Sequence, residues 1–120
     1  MTLTNWIERI LETEHPDSSI IAYNFGLFET PEGYSIYLIG SKDFDAEDGD
    51  WATGSDFEPK DKYYPLPAKD YKNLKWEQAL DKVEQSLREF KKSTTYKQSF
   101  LAKAKAVTTG FDDGDLIRLQ

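Results

Sequence analysis

Hydrophobic residues near the N-terminus recur with the spacing of an amphipathic α-helix. They fall at positions i, i+3, i+4, i+7 and i+8, as Leu3, Trp6, Ile7, Ile10 and Leu11. This spacing places them on one face of a helix, where they can pack against a core. Thr2 or Thr4 is suited to cap the helix, and His15-Pro16 ends it because the residue before a proline is disfavoured in the α region.

Two pairs of apolar, β-prone segments are each joined by a turn signal. Residues 20–29 and 34–40 flank a Pro-x-Gly turn, and residues 106–111 and 116–119 flank an Asp-Gly turn. Such pairs are typical of β-hairpins. The first pair is apolar at nearly every position, so we expect it to be covered on both faces and to form the centre of a sheet.

Helical spacing returns between the two hairpins. It runs from Asn73 to about Lys92 and continues, after a cap within 93–95, into a shorter helix through Tyr96, Phe100 and Leu101. Strands and helices are therefore segregated along the chain, which favours an α+β fold. We predict a single domain over residues 1–120, an antiparallel sheet built from two hairpins with the N-terminal helix and two further helices packed on it.

Residues 41–61 form an acidic segment with isolated aromatic residues. Eight acids stand against two lysines, a net charge of −6, and the aromatic residues are Phe44, Trp51 and Phe57. We interpret the segment as a long loop, with a short strand around Trp51, and loops of this length in compact domains are often functional. The rings can anchor a partner protein or pack into the core, and both hold if rings point inward and carboxylates outward.

Composition indicates a folded domain, since 38% of the 120 residues are hydrophobic and 14% are aromatic. A chain of this length buries roughly two-thirds of its unfolded surface, so it needs no metal or disulfide. Cysteine is absent, which fits a reducing compartment. We find neither a signal-peptide pattern nor an apolar run approaching the ~20 residues of a membrane span. We expect a cytoplasmic protein without membrane association.

The net charge of −7 bears on the class of partner. A negative field repels nucleic acids and anionic membranes, whereas it attracts and steers a basic protein. Solubility alone is the simpler interpretation. A basic run over residues 88–105 is the exception, with a net charge of +5. We interpret it as a solvated helix face, with an anion- or nucleic-acid-binding patch as the alternative.

Residues for catalysis are scarce. His15 is the only histidine, there is no cysteine, and no serine lies in a Gly-x-Ser-x-Gly motif. Residues 43–49 resemble the start of an EF-hand, but the glycine is one position late and Gly54 takes the place of the final Glu. Asp45 with Glu58-Pro59-Lys60 matches an Asp…Glu-x-Lys nuclease motif, but Pro59 interrupts the strand that such a metal site needs. We expect neither enzyme activity nor a cofactor; the alternatives are a small metal-dependent enzyme, a divalent-ion binder, or a regulatory adaptor.

Four stretches together resemble a known group of proteins. Residues 37–42 lead into Asp50-Trp51-Ala52, then 56–59 reads Asp-Phe-Glu-Pro, and 109–116 reads Thr-Gly-Phe-Asp-Asp-Gly-Asp-Leu. These strings are similar to those of small immunity proteins from bacterial polymorphic, contact-dependent toxin systems, over about half of the chain. The resemblance implies no reaction. It implies that the protein binds a cognate toxin domain and blocks it.

Positions shared with that group are expected to maintain the fold rather than to contact the toxin. Gly114 is expected to supply a turn residue with positive φ, and Asp56 to cap local backbone. The variable acids Asp43, Asp45 and Glu47, with Asp48, are the favoured contacts to a basic toxin. The full set of candidate partner-binding residues is Asp43, Asp45, Glu47, Asp48, Asp50, Trp51, Asp56, Asp112, Asp113 and Asp115.

Overall fold

The computed structural model describes the whole chain, residues 1–120, as four helices, five strands and a short 3₁₀ helix. The helices are α1 Leu3–Thr13, α2 Ala68–Tyr71, α3 Trp76–Phe90 and α4 Thr94–Lys97. The strands are β1 Ala22–Thr30, β2 Gly33–Ser41, β3 Tyr63–Pro65, β4 Ala106–Phe111 and β5 Ile117–Arg118. The 3₁₀ helix, Gly49–Thr53, lies in the acidic loop.

One sheet contains all five strands in the order β3-β2-β1-β4-β5. β1 and β2 form the first predicted hairpin, β4 and β5 the second, and β1 is the central strand as expected. The prediction of a purely antiparallel sheet is wrong, because β1 and β4 pair in parallel from Ala22–Ala106 to Leu27–Phe111. The chain returns to β4 through the helical segment, the kind of long crossover that a parallel pair requires. The sheet is therefore mixed.

Strand β3 was not predicted, and the strand expected around Trp51 is absent. β3 has three residues and ends in Pro65 at an edge of the sheet, where a missing N–H is tolerated. Around Trp51 the chain forms the 3₁₀ helix instead, and the Asp48 carboxylate accepts a hydrogen bond of 3.0 Å from the backbone N–H of Asp50 to cap it. The acidic loop thus has local structure of its own.

Helix ends follow the predicted caps. Thr2 and Asn5 form a reciprocal capping box at the start of α1, and Ser93 accepts from the N–H of Tyr96 at the start of α4. α4 is shorter than predicted, since it ends at Lys97 and does not include Phe100 or Leu101. The positive-φ prediction for Gly114 is also wrong, since Gly33 is the residue with positive φ, at 144°.

The core lies between the helices and one face of the sheet. A cluster of 22 buried residues joins the apolar faces of α1 and α3 to alternate strand residues, including Phe25 and Leu27. Every residue from Ala22 to Leu27 is buried, so β1 is covered on both faces as expected. None of the helices has the length and apolar character needed to cross a membrane. The opposite face of the sheet is turned toward the acidic loop, residues 41–61.

Candidate functional site

An open cavity of about 910 Å³ lies between the acidic loop and the sheet face opposite the helices. Alternation along the strands places Asn24 and Phe28 of β1, Tyr37 of β2 and Thr108 of β4 on this face. The loop is held down beside the cavity by Trp51, whose buried ring packs in a small cluster with two alanines of β1 and β4. The predicted inward orientation of the rings therefore holds for Trp51, and also for Phe57, whose half-buried ring packs against Tyr23 of the main core.

Two buried polar residues form the floor of the cavity. Asn24 and Thr108 are each 3% exposed, and the Thr108 hydroxyl donates a hydrogen bond of 2.8 Å to Asn24 Oδ1. Asn24 Nδ2 has no hydrogen-bond partner in the chain. Every fully buried side-chain nitrogen or oxygen in the protein has a hydrogen-bond partner. Because Asn24 Nδ2 has none, it is not fully buried and is open to the cavity that Asn24 lines. The centre of the sheet therefore presents a free donor.

Tyr37 crosses the sheet beside this floor. Its ring lies directly over Gly26, where an added Cβ would be 2.1 Å from Tyr37 Cζ, and its hydroxyl donates a hydrogen bond to Asp112 in the β4–β5 turn. Burial raises the pKa of Tyr37, and the hydrogen bond to Asp112 raises it further. The hydroxyl thus stays protonated and links β2 to the turn across β1.

Basic side chains at the two ends of the cavity are already engaged within the chain. At the β3 end, Lys62 Nζ lies 3.2 Å from Glu58 Oε1 and 5.2 Å from the centre of the Tyr63 ring. Burial alone would lower the pKa of Lys62, but its contacts with Glu58 and Tyr63 raise it. At the β5 end, the guanidinium carbon of Arg118 lies 4.9 Å from the centre of the Phe44 ring.

The predicted acids divide into two groups. Five line the cavity, and they come from two segments far apart in sequence: Asp45, Glu47, Asp50, Asp112 and Asp115. Trp51 also lines it. Asp43, Asp48, Asp56 and Asp113 do not line it, although each is exposed. We use the name rim acids for the five that do.

Several acids also stabilise local backbone. Asp56 Oδ2 accepts a hydrogen bond of 2.8 Å from the N–H of Lys42, which is the capping role expected for Asp56. Asp45 Oδ1 accepts one of 2.8 Å from the N–H of Glu47. At Gly110 an added Cβ would be 2.6 Å from the carbonyl oxygen of Asp115, so the turn packs tightly on β4. None of the rim acids takes part in a salt bridge.

Other features singled out in the sequence lie elsewhere. His15 is exposed at the end of α1, and no group of three or more His, Cys, Asp or Glu side chains is arranged as a metal-ligand set. In the basic run, Arg88 pairs with Glu84 at 2.8 Å and Lys91 Nζ donates to the carbonyl of Leu119 at 2.6 Å. The charge of Arg88 is therefore paired with an acid, and Lys91 is directed back onto the protein.

Sequence reasoning missed the floor of the site. Asn24 is a polar residue within an otherwise apolar strand segment, and this interruption is the signal that could have identified it. Thr108 and Lys62 carry no such signal, because threonine is common in strands and lysine is common on surfaces.

Comparisons with protein-family models, curated proteins and solved structures find no match. The resemblance to immunity proteins therefore rests on the short sequence motifs alone.

Proposed function

We propose that the protein is a non-catalytic binding protein that neutralises a basic toxin domain, in the manner of an immunity protein of a bacterial polymorphic toxin system. It acts in the cytoplasm of the producing cell by covering the active site of the toxin. One observation carries the proposal: acids from the loop and from the β4–β5 turn line the same open cavity without any salt bridge of their own.

Charge placement supports a protein partner of opposite charge. Lys62 is paired with Glu58, and Arg118 is the one other basic residue of the lining against five acids, so the net charge around the cavity is negative. Complementary potentials accelerate encounter and exclude partners of the wrong charge. Many toxin domains are basic enzymes that act on nucleic acids, and an acidic surface can cover such an active site.

Co-expression with the product of the adjacent upstream gene tests the proposal directly. We expect the two proteins to co-purify and the growth of cells that express the toxin domain to be restored. The proposal is contradicted if the toxin domain arrests growth equally with and without this protein, and the two proteins do not co-purify.

Two variants with equal net charge separate a specific acidic surface from general acidity. The first, the rim variant Asp45→Asn with Glu47→Gln and Asp50→Asn, neutralises the three rim acids of the loop and leaves Asp112 and Asp115. The control, Glu12→Gln with Glu32→Gln and Asp81→Asn, neutralises exposed acids of α1, the β1–β2 turn and α3.

We expect association of the rim variant with the toxin domain to be about tenfold slower and less sensitive to salt than that of the control. Equal rates for the two variants would show that the rim is not the steering surface. Stopped-flow measurement over a range of salt concentrations decides between these outcomes.

A further inference from the structure

The free donor of Asn24 lies at an unfavourable place for the fold alone. The residue is on the central strand, between Ile39 of β2 and Thr108 of β4. Asparagine is depleted from strands, and the Nδ2 of Asn24, which is open to the cavity, makes no hydrogen bond within the fold. A β-branched apolar residue would suit this position better. The donor is therefore free to bind an acceptor from outside the chain, which is water in the unbound protein.

The composition of the cavity lining favours a protein segment over a small molecule. Only nine of the 22 lining residues are hydrophobic, whereas small-molecule pockets are predominantly apolar and enclose their ligand. The cavity is open, with acids along its rim and a polar floor. A peptide supplies what this arrangement lacks, namely main-chain carbonyl oxygens as acceptors and Lys or Arg side chains as cations.

We infer that the cavity seats a Lys- or Arg-bearing main-chain segment of the partner protein. A carbonyl oxygen of that segment accepts a hydrogen bond from Asn24 Nδ2, and its basic side chains pair with the rim acids. This inference rests on the proposed function for the identity of the partner. It adds to that function the residue that contacts the partner at the floor of the cavity, Asn24, and the chemistry of the partner segment that the cavity holds.

A double variant removes the donor without leaving a new unpaired group in the fold. In Asn24→Val with Thr108→Val both hydrogen-bonding partners become apolar, a replacement that is close to neutral for stability. The native protein serves as the control, because Thr108→Val alone would leave Asn24 Oδ1 without its donor. We expect the double variant to bind the toxin domain roughly 10- to 100-fold more weakly than the control, because a partner carbonyl is buried without a donor. Equal affinities overturn the inference.

A second experiment probes the site without the toxin. The Asn24 side-chain NH₂ resonances of the ¹⁵N-labelled protein are followed while the blocked peptide Gly-Lys-Gly-Arg-Gly is added, with Gly-Glu-Gly-Asp-Gly as the control. We expect the basic peptide to shift these resonances at millimolar concentration and the acidic peptide to leave them unchanged. No shift with the basic peptide overturns the inference, even if the double variant fails to fold.

The two experiments also separate this inference from the proposed function. A peptide-induced shift together with failure to bind or neutralise the adjacent gene product would refute the toxin assignment and leave the basic-segment site standing. Neutralisation of the toxin with no contribution from Asn24 would refute the inference alone. Native mass spectrometry of the purified protein adds one check, since a co-purified small molecule displaced by the double variant would show that the cavity holds a metabolite and would overturn the inference.

Discussion

Gly26 shows how one residue determines the shape of the candidate site. The Tyr37 ring occupies the space that a Cβ at position 26 would fill, with an approach of 2.1 Å to Cζ. We expect Gly26→Ala to displace the ring, break its contact with Asp112 and lower the free energy of unfolding by about 2–3 kcal/mol. Urea denaturation measures this loss.

Gly114→Ala is the matched control for this prediction. An added Cβ at Gly114 meets Phe111 atoms only at an ordinary 3.7 Å, and its φ is not positive. The expected change is within about 0.5 kcal/mol of the native chain. If both alanine variants unfold at the same urea concentration, the packing of Tyr37 on Gly26 has no energetic weight.

Two buried tyrosines, Tyr23 and Tyr96, are expected to make stability fall at alkaline pH. Burial raises the pKa of Tyr23 to about 12, and that of Tyr96 also to about 12, whereas an unfolded tyrosine titrates near about 10. Below that lower pKa both states hold the proton and the contribution to stability is intact. Above it the unfolded state loses the proton first, so stability falls as the pH rises towards the folded value.

Tyr23→Phe tests this dependence because burial is the sole cause of the shift at Tyr23. The ring keeps its contacts with Phe57 and Phe100. We expect unchanged stability at neutral pH and a shallower alkaline decline, by up to about 1.4 kcal/mol per pH unit. Urea midpoints at neutral and alkaline pH measure it, and parallel declines for variant and native protein would contradict it.

At the scale of elements, the acidic loop depends on Trp51. Trp51 is 8% exposed, and its ring packs on Ala22 and Ala106. Further along the loop, the Asp56 carboxylate accepts a hydrogen bond from the backbone N–H of Lys42. We expect Trp51→Ala to lower stability by about 2–3 kcal/mol and to accelerate hydrogen exchange at the Lys42 amide.

Trp76→Ala is the matched control for Trp51→Ala. Trp76 is 52% exposed at the start of α3. Its replacement should cost about 1 kcal/mol or less and leave exchange in the loop unchanged. Similar losses for the two tryptophans would mean that the ring of Trp51 does not anchor the loop.

Local patterns predicted the elements better than their arrangement. The spacing of Trp6, Ile7 and Ile10 and the apolar run of β1 located a helix and the central strand, since such patterns depend on near neighbours in the chain. The parallel pairing of β1 with β4 depends on where the crossover returns, and no local pattern encodes it. β3 was missed because three residues ending in Pro65 have no strand periodicity.

The candidate site was predictable in its acids but not in its floor. The charge of residues 41–61 and of the β4–β5 turn is visible in the sequence, and the structure brings five of these acids around one cavity. The contact between Asn24 and Thr108 joins residues 84 positions apart through the parallel pairing. Without that strand pairing, nothing in the sequence connects Asn24 with Thr108.

At the scale of the whole molecule, the rim acids create a conflict between stability and association. Neighbouring carboxylates without salt bridges repel one another, and salt screens this repulsion over a Debye length of about 10 Å at 0.1 M. The same unscreened field is what we expect to attract the basic partner proposed above. Added salt should therefore raise the free energy of unfolding and, at the same time, slow association with the proposed partner.

The rim variant of Asp45, Glu47 and Asp50 tests this conflict in the absence of any partner. Neutralisation should raise the free energy of unfolding by about 0.5–1 kcal/mol at low salt and by much less at high salt, because screening already removes the repulsion there. The variant of Glu12, Glu32 and Asp81 carries the same net charge on separated elements and should gain little at either salt concentration. Urea denaturation of all three proteins at both salt concentrations measures the difference. Equal gains in the free energy of unfolding for the two variants would assign the repulsion to net charge. A gain confined to the rim variant would show that stability is lost at the surface where binding is proposed. Such a loss is the trade-off expected of a functional site.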